Sequence, residues 1–115
     1  MSHALLIQSA TLITAAESYT ADVLIQGEHI AAIGQMLTPP PGCAVLDGRG
    51  KFLLPGGVDV HVHLDLPMFG TVSSDDHYTG SKAAAFGGTT TLIDFISQDF
   101  DPLLANLEAW QIKAS

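Results

Sequence analysis

Short apolar runs separated by polar turns fill the first half of the chain. ALLIQSATLIT and ADVLIQGEHIAAIG are rich in Ile, Leu and Val, and AESYT and QGEH interrupt them as turns. The runs on either side of Gly27–Glu28 predict a β-hairpin. The prolines of TPPPGC break the pattern, because proline cannot donate to a strand ladder. Further short strands are predicted at Ala44–Asp47 and in KFLLP, and we interpret residues 1–54 as the N-terminal part of a small β-sandwich domain.

From residue 55 the pattern changes to alternating strands and helices. VDVHVHL alternates strictly, and LPMFGTVSS has the composition of turns and loops. A helix is predicted through DDHYTGSKAAAFGG, capped by Ser73 or Ser74 and ended by Gly87 or Gly88. TTTLIDFIS is apolar almost throughout, which is typical of a strand buried on both faces. Asp101 is expected to cap a second helix, in LLANLEAWQIKAS, with Pro102 in its first turn.

The β-α-β-α order of residues 55–115 predicts a parallel sheet with helical crossovers. We therefore expect an α/β fold, in which this region starts a (β/α)₈ TIM-like barrel after part of a small β-sandwich. A complete barrel takes ~250 residues, whereas the chain has 115. The expectation is that the chain is the N-terminal portion of a longer protein.

Two histidines one residue apart lie on one face of the VDVHVHL strand. Residues at i and i+2 point to the same side, so Asp59, His61 and His63 share a face opposite the valines. Imidazole nitrogens at this spacing can converge on one divalent metal ion, and Asp59, one repeat deeper, is expected to hydrogen-bond rather than ligate. An amphipathic edge strand with solvent-facing histidines is the alternative. The flanking βα unit and the apolar strand that follows favour the metal site.

Composition excludes several classes of partner. The net charge is -8, with 4 basic residues that form no cluster, so nucleic acid is not expected. No apolar run approaches the ~20 residues of a membrane span. Cys43 is the only cysteine, which suits a reducing cytoplasm and leaves no disulfide. The remaining histidines, His3, His29 and His77, are expected at the surface.

The motifs of residues 55–95 resemble those of a known enzyme group. PGGVDVHVHLDLP resembles the metal-binding first barrel strand of the amidohydrolase superfamily, and GTVSSDDHYTGSKAAAFGGTTTLIDF is similar to its dihydropyrimidinase and D-hydantoinase branch. The resemblance implies hydrolysis of a cyclic amide, such as a dihydropyrimidine or 5-substituted hydantoin, to an N-carbamoyl amino acid. It also implies a homo-oligomer, a tetramer in this branch.

The resemblance also assigns site residues. It implies two divalent ions, commonly zinc, with His61 and His63 as ligands of one of them. The bridging lysine, the later histidines and the aspartate general base would lie beyond Ser115, so the segment alone is expected to be inactive. Leu66, Met68 and Phe69 fall in the loop that gates the substrate in this branch, although LPMF stands here where the branch more often has MPFG.

The sequence leaves two alternatives open. Another amidohydrolase such as an allantoinase would usually carry an arginine soon after the paired histidines, where this chain reads LDLP. A non-catalytic scaffold relative would have lost the paired histidines, and this chain keeps both.

Overall fold

A computed structural model of the chain describes residues 4–97 and 102–115. By its internal contacts the chain divides into two compact units, Met1–Pro55 and Gly56–Ser115. His3 and Asp101, for which the sequence predicted a surface position and a helix cap, lie outside the described residues. In the part of the chain that is described, no helix is long and apolar enough to cross a lipid bilayer.

The first unit is built on one five-stranded sheet. Its strands are β1 (Ala4–Ile13), β2 (Ser18–Gln26), β3 (His29–Gly34), β4 (Ala44–Asp47) and β5 (Phe52–Leu53). They lie in the order β3-β2-β1-β4, with β5 also paired to β1. The first three strands form an antiparallel meander, and β4 and β5 pair parallel to successive parts of β1. The predicted hairpin at Gly27–Glu28 and the strand Ala44–Asp47 are confirmed.

A buried carboxylate holds an irregularity in this sheet. The register between β1 and β2 shifts between Ile7 and Ala10, and Ser9 has a φ of 57°. Asp22, which is 5% exposed, accepts from the Ser9 amide at 2.8 Å and from the Leu37 amide at 2.9 Å. Both oxygens are therefore satisfied by main chain, as a buried carboxylate requires. The apolar core beside it consists of Ile7, Ala10, Leu12, Ala21 and Val23.

The second unit has a two-stranded parallel sheet, a small hairpin and two helices, so the chain as a whole is mixed α/β. The elements are β6 (Gly57–Val62), β7 (Pro67–Met68), β8 (Thr71–Val72), α1 (His77–Phe86), β9 (Thr89–Asp94) and α2 (Leu103–Lys113). The predicted alternation of strands and helices is confirmed, and β6 pairs parallel with β9. The antiparallel hairpin of β7 and β8 was not predicted, since LPMFGTVSS was interpreted as loop.

The cap of α1 differs from the prediction. Asp76, rather than Ser73 or Ser74, is the N-cap: its Oδ1 accepts from the Thr79 amide at 2.7 Å, and Thr79 Oγ1 accepts from the Asp76 amide at 3.1 Å. The Thr79 amide, and after it the Thr79 hydroxyl at 2.8 Å, donate to the Asp76 carboxylate and hold its pKa below its usual value. Ser73 is occupied elsewhere, because its Oγ accepts from the Leu66 amide. The predicted C-terminal glycine is confirmed at Gly87.

The strands of this unit are less buried than predicted. Val58 and Val60 of β6 are 59% and 63% exposed, and Ile93 of β9 is 49% exposed. Two strands and two short helices cannot cover both faces of a parallel sheet, which is ordinarily flanked by helices on both sides. The prediction that β9 is buried on both faces is therefore wrong for the residues described.

Candidate metal centre

His61 and His63 meet at the carboxyl end of β6. His61 lies in the strand, His63 follows its last residue, Val62, and the alternation of the strand turns both rings to one side. Their Nε2 atoms are 3.1 Å apart, and the ring centroids are 5.0 Å apart. Two nitrogen ligands at 2.0–2.1 Å from one zinc ion lie about 3.3 Å apart when they subtend a tetrahedral angle. The pair therefore fits two neighbouring positions around a single divalent ion.

The side chains of Asp59 and Phe95 contact the two histidines. Asp59 Oδ1 accepts from the His61 main-chain amide at 3.1 Å, so its contact is with the backbone rather than with a ring nitrogen. The Phe95 ring, which follows β9 directly, lies against both imidazoles, with centroids 4.3 Å from His61 and 5.7 Å from His63. Neither contact is a hydrogen bond to an Nε2 atom, and the Nε2 atoms of the two rings face each other.

The described residues form no complete metal site by themselves. Within residues 4–97 and 102–115, no group of three or more His, Cys, Asp or Glu side chains is arranged to hold an ion. A structural zinc site normally has four protein ligands, and a catalytic one normally has three. The two imidazoles would therefore need further ligands from elsewhere.

The loop after the histidines separates its three predicted substrate residues. Leu66 is 5% exposed, and its amide donates to Ser73 Oγ at 2.9 Å. Met68 and Phe69 are 45% and 99% exposed at the tip of the β7–β8 hairpin. Phe69 and Gly70 both have positive φ, at 49° and 78°, as a two-residue type I′ turn requires. Leu66 thus anchors the loop, and the hairpin tip presents the other two.

Asp65, two residues after His63, is bound to α2 through Lys113. Asp65 has a φ of 48°, a conformation that is uncommon for a residue with a side chain. Lys113 Nζ donates to its main-chain carbonyl at 2.9 Å and lies 3.1 Å from its Oδ2. The same ammonium group lies 4.7 Å from the centroid of the Trp110 ring.

A polar cluster between β9 and the two helices was not predicted from the sequence. Asp94, at the end of β9, contacts His77 and Trp110 on the two helices. The surface position predicted for His77 is wrong, because its side chain is only 16% exposed, whereas His29 is exposed as predicted. One signal was available: Asp94 is the single charged residue in TTTLIDFIS, and a lone carboxylate in an apolar strand needs polar partners.

Sequence comparison shows which known proteins the chain is related to. The chain is 48% identical to the D-hydantoinase of Geobacillus stearothermophilus over 111 residues, which is 96% of this chain and 23% of that protein. It is 41% identical to the dihydropyrimidinase of Rattus norvegicus over 112 residues, 93% of this chain and 22% of that protein. The chain is homologous to the D-hydantoinases and dihydropyrimidinases. It spans about a quarter of the length of these relatives. No protein-family model matches it.

Solved structures of hydantoinases have the same fold as this chain over the matched residues. The D-hydantoinase (dihydropyrimidinase) from Thermus sp. superposes with a TM-score of 0.90 at 46% identity, over 96% of this chain and 24% of that one. The L-hydantoinase (dihydropyrimidinase) from Arthrobacter aurescens gives a TM-score of 0.78 at 26% identity, over 99% of this chain and 25% of that one. Hydantoinases named for either enantiomer therefore share the fold of this segment.

Proposed function

We propose that this chain supplies two metal ligands, His61 and His63, to an enzyme that hydrolyses the amide bond of a cyclic amide. The substrate is a dihydropyrimidine or a 5-substituted hydantoin, and the product is an N-carbamoyl amino acid. The observation that carries the proposal is the 3.1 Å separation of the two Nε2 atoms at a strand end, in a chain homologous to D-hydantoinases.

The chemistry divides between the ion and the chain. A divalent ion bound at this pair supplies Lewis acidity, which lowers the pKa of water and polarises a ring carbonyl. His61 and His63 hold the ion as neutral imidazoles through Nε2. Asp59 fixes the main chain at His61, and the Phe95 ring limits the rotation of both imidazoles.

The hairpin loop would set which ring substituent is accepted. Phe69 is exposed on the two-residue turn and Met68 is exposed next to it at the end of β7, and their apolar side chains suit the side chain of a 5-substituted hydantoin. Leu66 is buried at the start of that loop. We assign Met68 and Phe69 to direct contact with the substrate, and Leu66 to packing that holds the loop in place.

The wider assignment extends the same homology. In the whole protein we propose two zinc ions, a (β/α)₈ barrel that starts within residues 55–115, and a small β-sandwich that includes residues 1–54. We further propose a homotetramer. A cytoplasmic location agrees with the single free thiol of Cys43.

Metal content tests the ligand assignment. We expect the whole protein to lose about one of its two zinc ions, measured by atomic emission, in His61→Ala, His63→Ala and the double variant. His29→Ala is the matched control, because His29 is exposed on the hairpin of the first unit. Metal content that is the same in the double variant and the wild type would refute the assignment.

Activity tests the reaction. The whole protein should open dihydrouracil or a 5-substituted hydantoin, while the 115-residue chain by itself should show no turnover, since the described part lacks a complete ligand set. Turnover of allantoin in preference to both rings would favour an allantoinase. A protein that binds no metal and turns over none of the three would favour the scaffold alternative.

A further inference from the structure

Asp94 contacts four parts of the second unit, two of them next to the histidine pair. Its Oδ1 accepts from the Phe95 amide at 2.8 Å and from the Leu64 amide at 3.4 Å. Leu64 is the residue after His63, and Phe95 is the residue whose ring packs on both imidazoles. One carboxylate oxygen therefore accepts from the residue that follows His63 and from the residue whose ring packs on both imidazoles.

The other carboxylate oxygen is fixed by the helices. Asp94 Oδ2 accepts from Trp110 Nε1 at 2.9 Å and lies 3.3 Å from His77 Nε2. The side chains of Asp94 and His77 are 15% and 16% exposed. When Nε2 of His77 carries the proton, this contact is a hydrogen bond and Nδ1 is unprotonated. Nδ1 is buried and has no hydrogen-bond partner among the described residues.

We propose that Asp94 is a positioning residue for the His61–His63 pair. One oxygen of its carboxylate accepts from the Leu64 and Phe95 amides, next to the two imidazoles. The other contacts His77, the first residue of α1, and Trp110 of α2. The carboxylate thereby connects the surroundings of the imidazoles to both helices. The spacing of the two Nε2 atoms then depends on the helices as well as on the strand. This inference depends on the metal site of the proposed function.

A purely structural role would be a bond between sheet and helices that stabilises the unit without affecting the pair. The two roles differ in what they change. A structural bond contributes to the stability of the metal-free protein alone, whereas a positioning bond also changes the affinity and the coordination geometry of the metal.

The variant Asp94→Asn separates the two oxygens of the carboxylate. An asparagine side chain has one acceptor oxygen, so it can serve the backbone amides or the Trp110 indole but not both. Trp110→Phe removes only the indole donor and keeps an aromatic ring. Asp76→Asn is the matched control, because it removes a carboxylate of the same unit while asparagine still caps α1.

Three measurements on the whole protein complete the test: the dissociation constant for Zn²⁺ by chelator competition, the visible absorption of the Co²⁺ form, and the thermal midpoint of the metal-free form. We expect Asp94→Asn to weaken Zn²⁺ binding by about 10- to 100-fold and to shift the Co²⁺ bands, as loss of a supporting hydrogen bond does around metal sites. Trp110→Phe should change both in the same direction by less, and Asp76→Asn should change neither.

Zn²⁺ affinity and Co²⁺ bands that match the wild type in Asp94→Asn, whatever its thermal midpoint, would overturn the inference. If Asp94→Asn does not fold, the same result in Trp110→Phe would overturn it. Failure of the proposed function is a separate result: Zn²⁺ affinity in the His61→Ala, His63→Ala double variant would then equal that of the wild type.

Discussion

The ring centroids of Phe95 and His61 lie 4.3 Å apart, at an interplanar angle of 31°. An aromatic contact of this kind contributes about 1 kcal/mol beyond the area it buries. We expect Phe95→Ala to weaken Zn²⁺ binding about fivefold, because the imidazole regains rotational freedom. Phe95→Tyr keeps the ring face and should leave the dissociation constant unchanged. Equal affinity in the alanine variant and the wild type would show that the contact is incidental.

Phe69 occupies a turn position that favours other residues. Type I′ turns prefer Asn-Gly because both residues need positive φ, and a side chain that is 99% exposed gains nothing from burial. Phe69→Asn should stabilise the protein by roughly 1 kcal/mol and raise the KM for a hydantoin with an apolar substituent. The same variant should leave the KM for unsubstituted hydantoin unchanged. A parallel rise for both substrates would contradict a role in contacting the substituent.

Gly56 makes room for the neighbouring strand. A Cβ atom at this position would overlap the Thr90 side chain, including its Oγ1, Cγ2 and Cβ. We expect Gly56→Ala to lower the free energy of unfolding by about 1–3 kcal/mol, the usual cost of overpacking, as measured by denaturant titration. Gly57→Ala is the control, since the nearest neighbour of its added Cβ would be Thr89 Oγ1 at 3.2 Å. Equal losses in the two variants would contradict the steric explanation.

The Asp76 cap should make the start of α1 sensitive to acid. Because the folded state lowers the pKa of this carboxyl, its stabilisation is present above the ordinary value of 3.8 and is lost as the pH falls through the lower folded value. At pH 7 we expect Asp76→Ala to unfold at a lower temperature than the wild type, and Asp76→Ser to behave like the wild type. The gap between Asp76→Ala and the wild type should narrow below pH 4. A gap independent of pH would assign the effect to helix propensity alone.

Local patterns in the sequence were enough to predict most elements. The hairpin at Gly27–Glu28, the strand Ala44–Asp47 and the end of α1 at Gly87 each depend on residues within a few positions of one another. The parallel pairing of β6 and β9 followed from their order with α1, because short crossovers favour that arrangement.

Contacts between distant residues could not be predicted in the same way. Ser73, Ser74, Asp75 and Asp76 can all cap a helix, and the choice depends on Thr79 and on the bond from the Leu66 amide to Ser73. Asp94, His77 and Trp110 come from three different elements. No repeating pattern of nearby residues in the sequence indicates that they meet. The hairpin of β7 and β8 was missed because phenylalanine is an unusual residue for its turn.

The order in which β1 gains its neighbours has a consequence during synthesis. β2 begins five residues after β1 ends, and β3 ends at Gly34, so the meander can pair as soon as that residue emerges. The other edge of β1 pairs with β4, whose first residue is Ala44. At ordinary translation rates this edge stays open for about a second longer, and during that time it can pair with the same strand of a neighbouring nascent chain on a polysome.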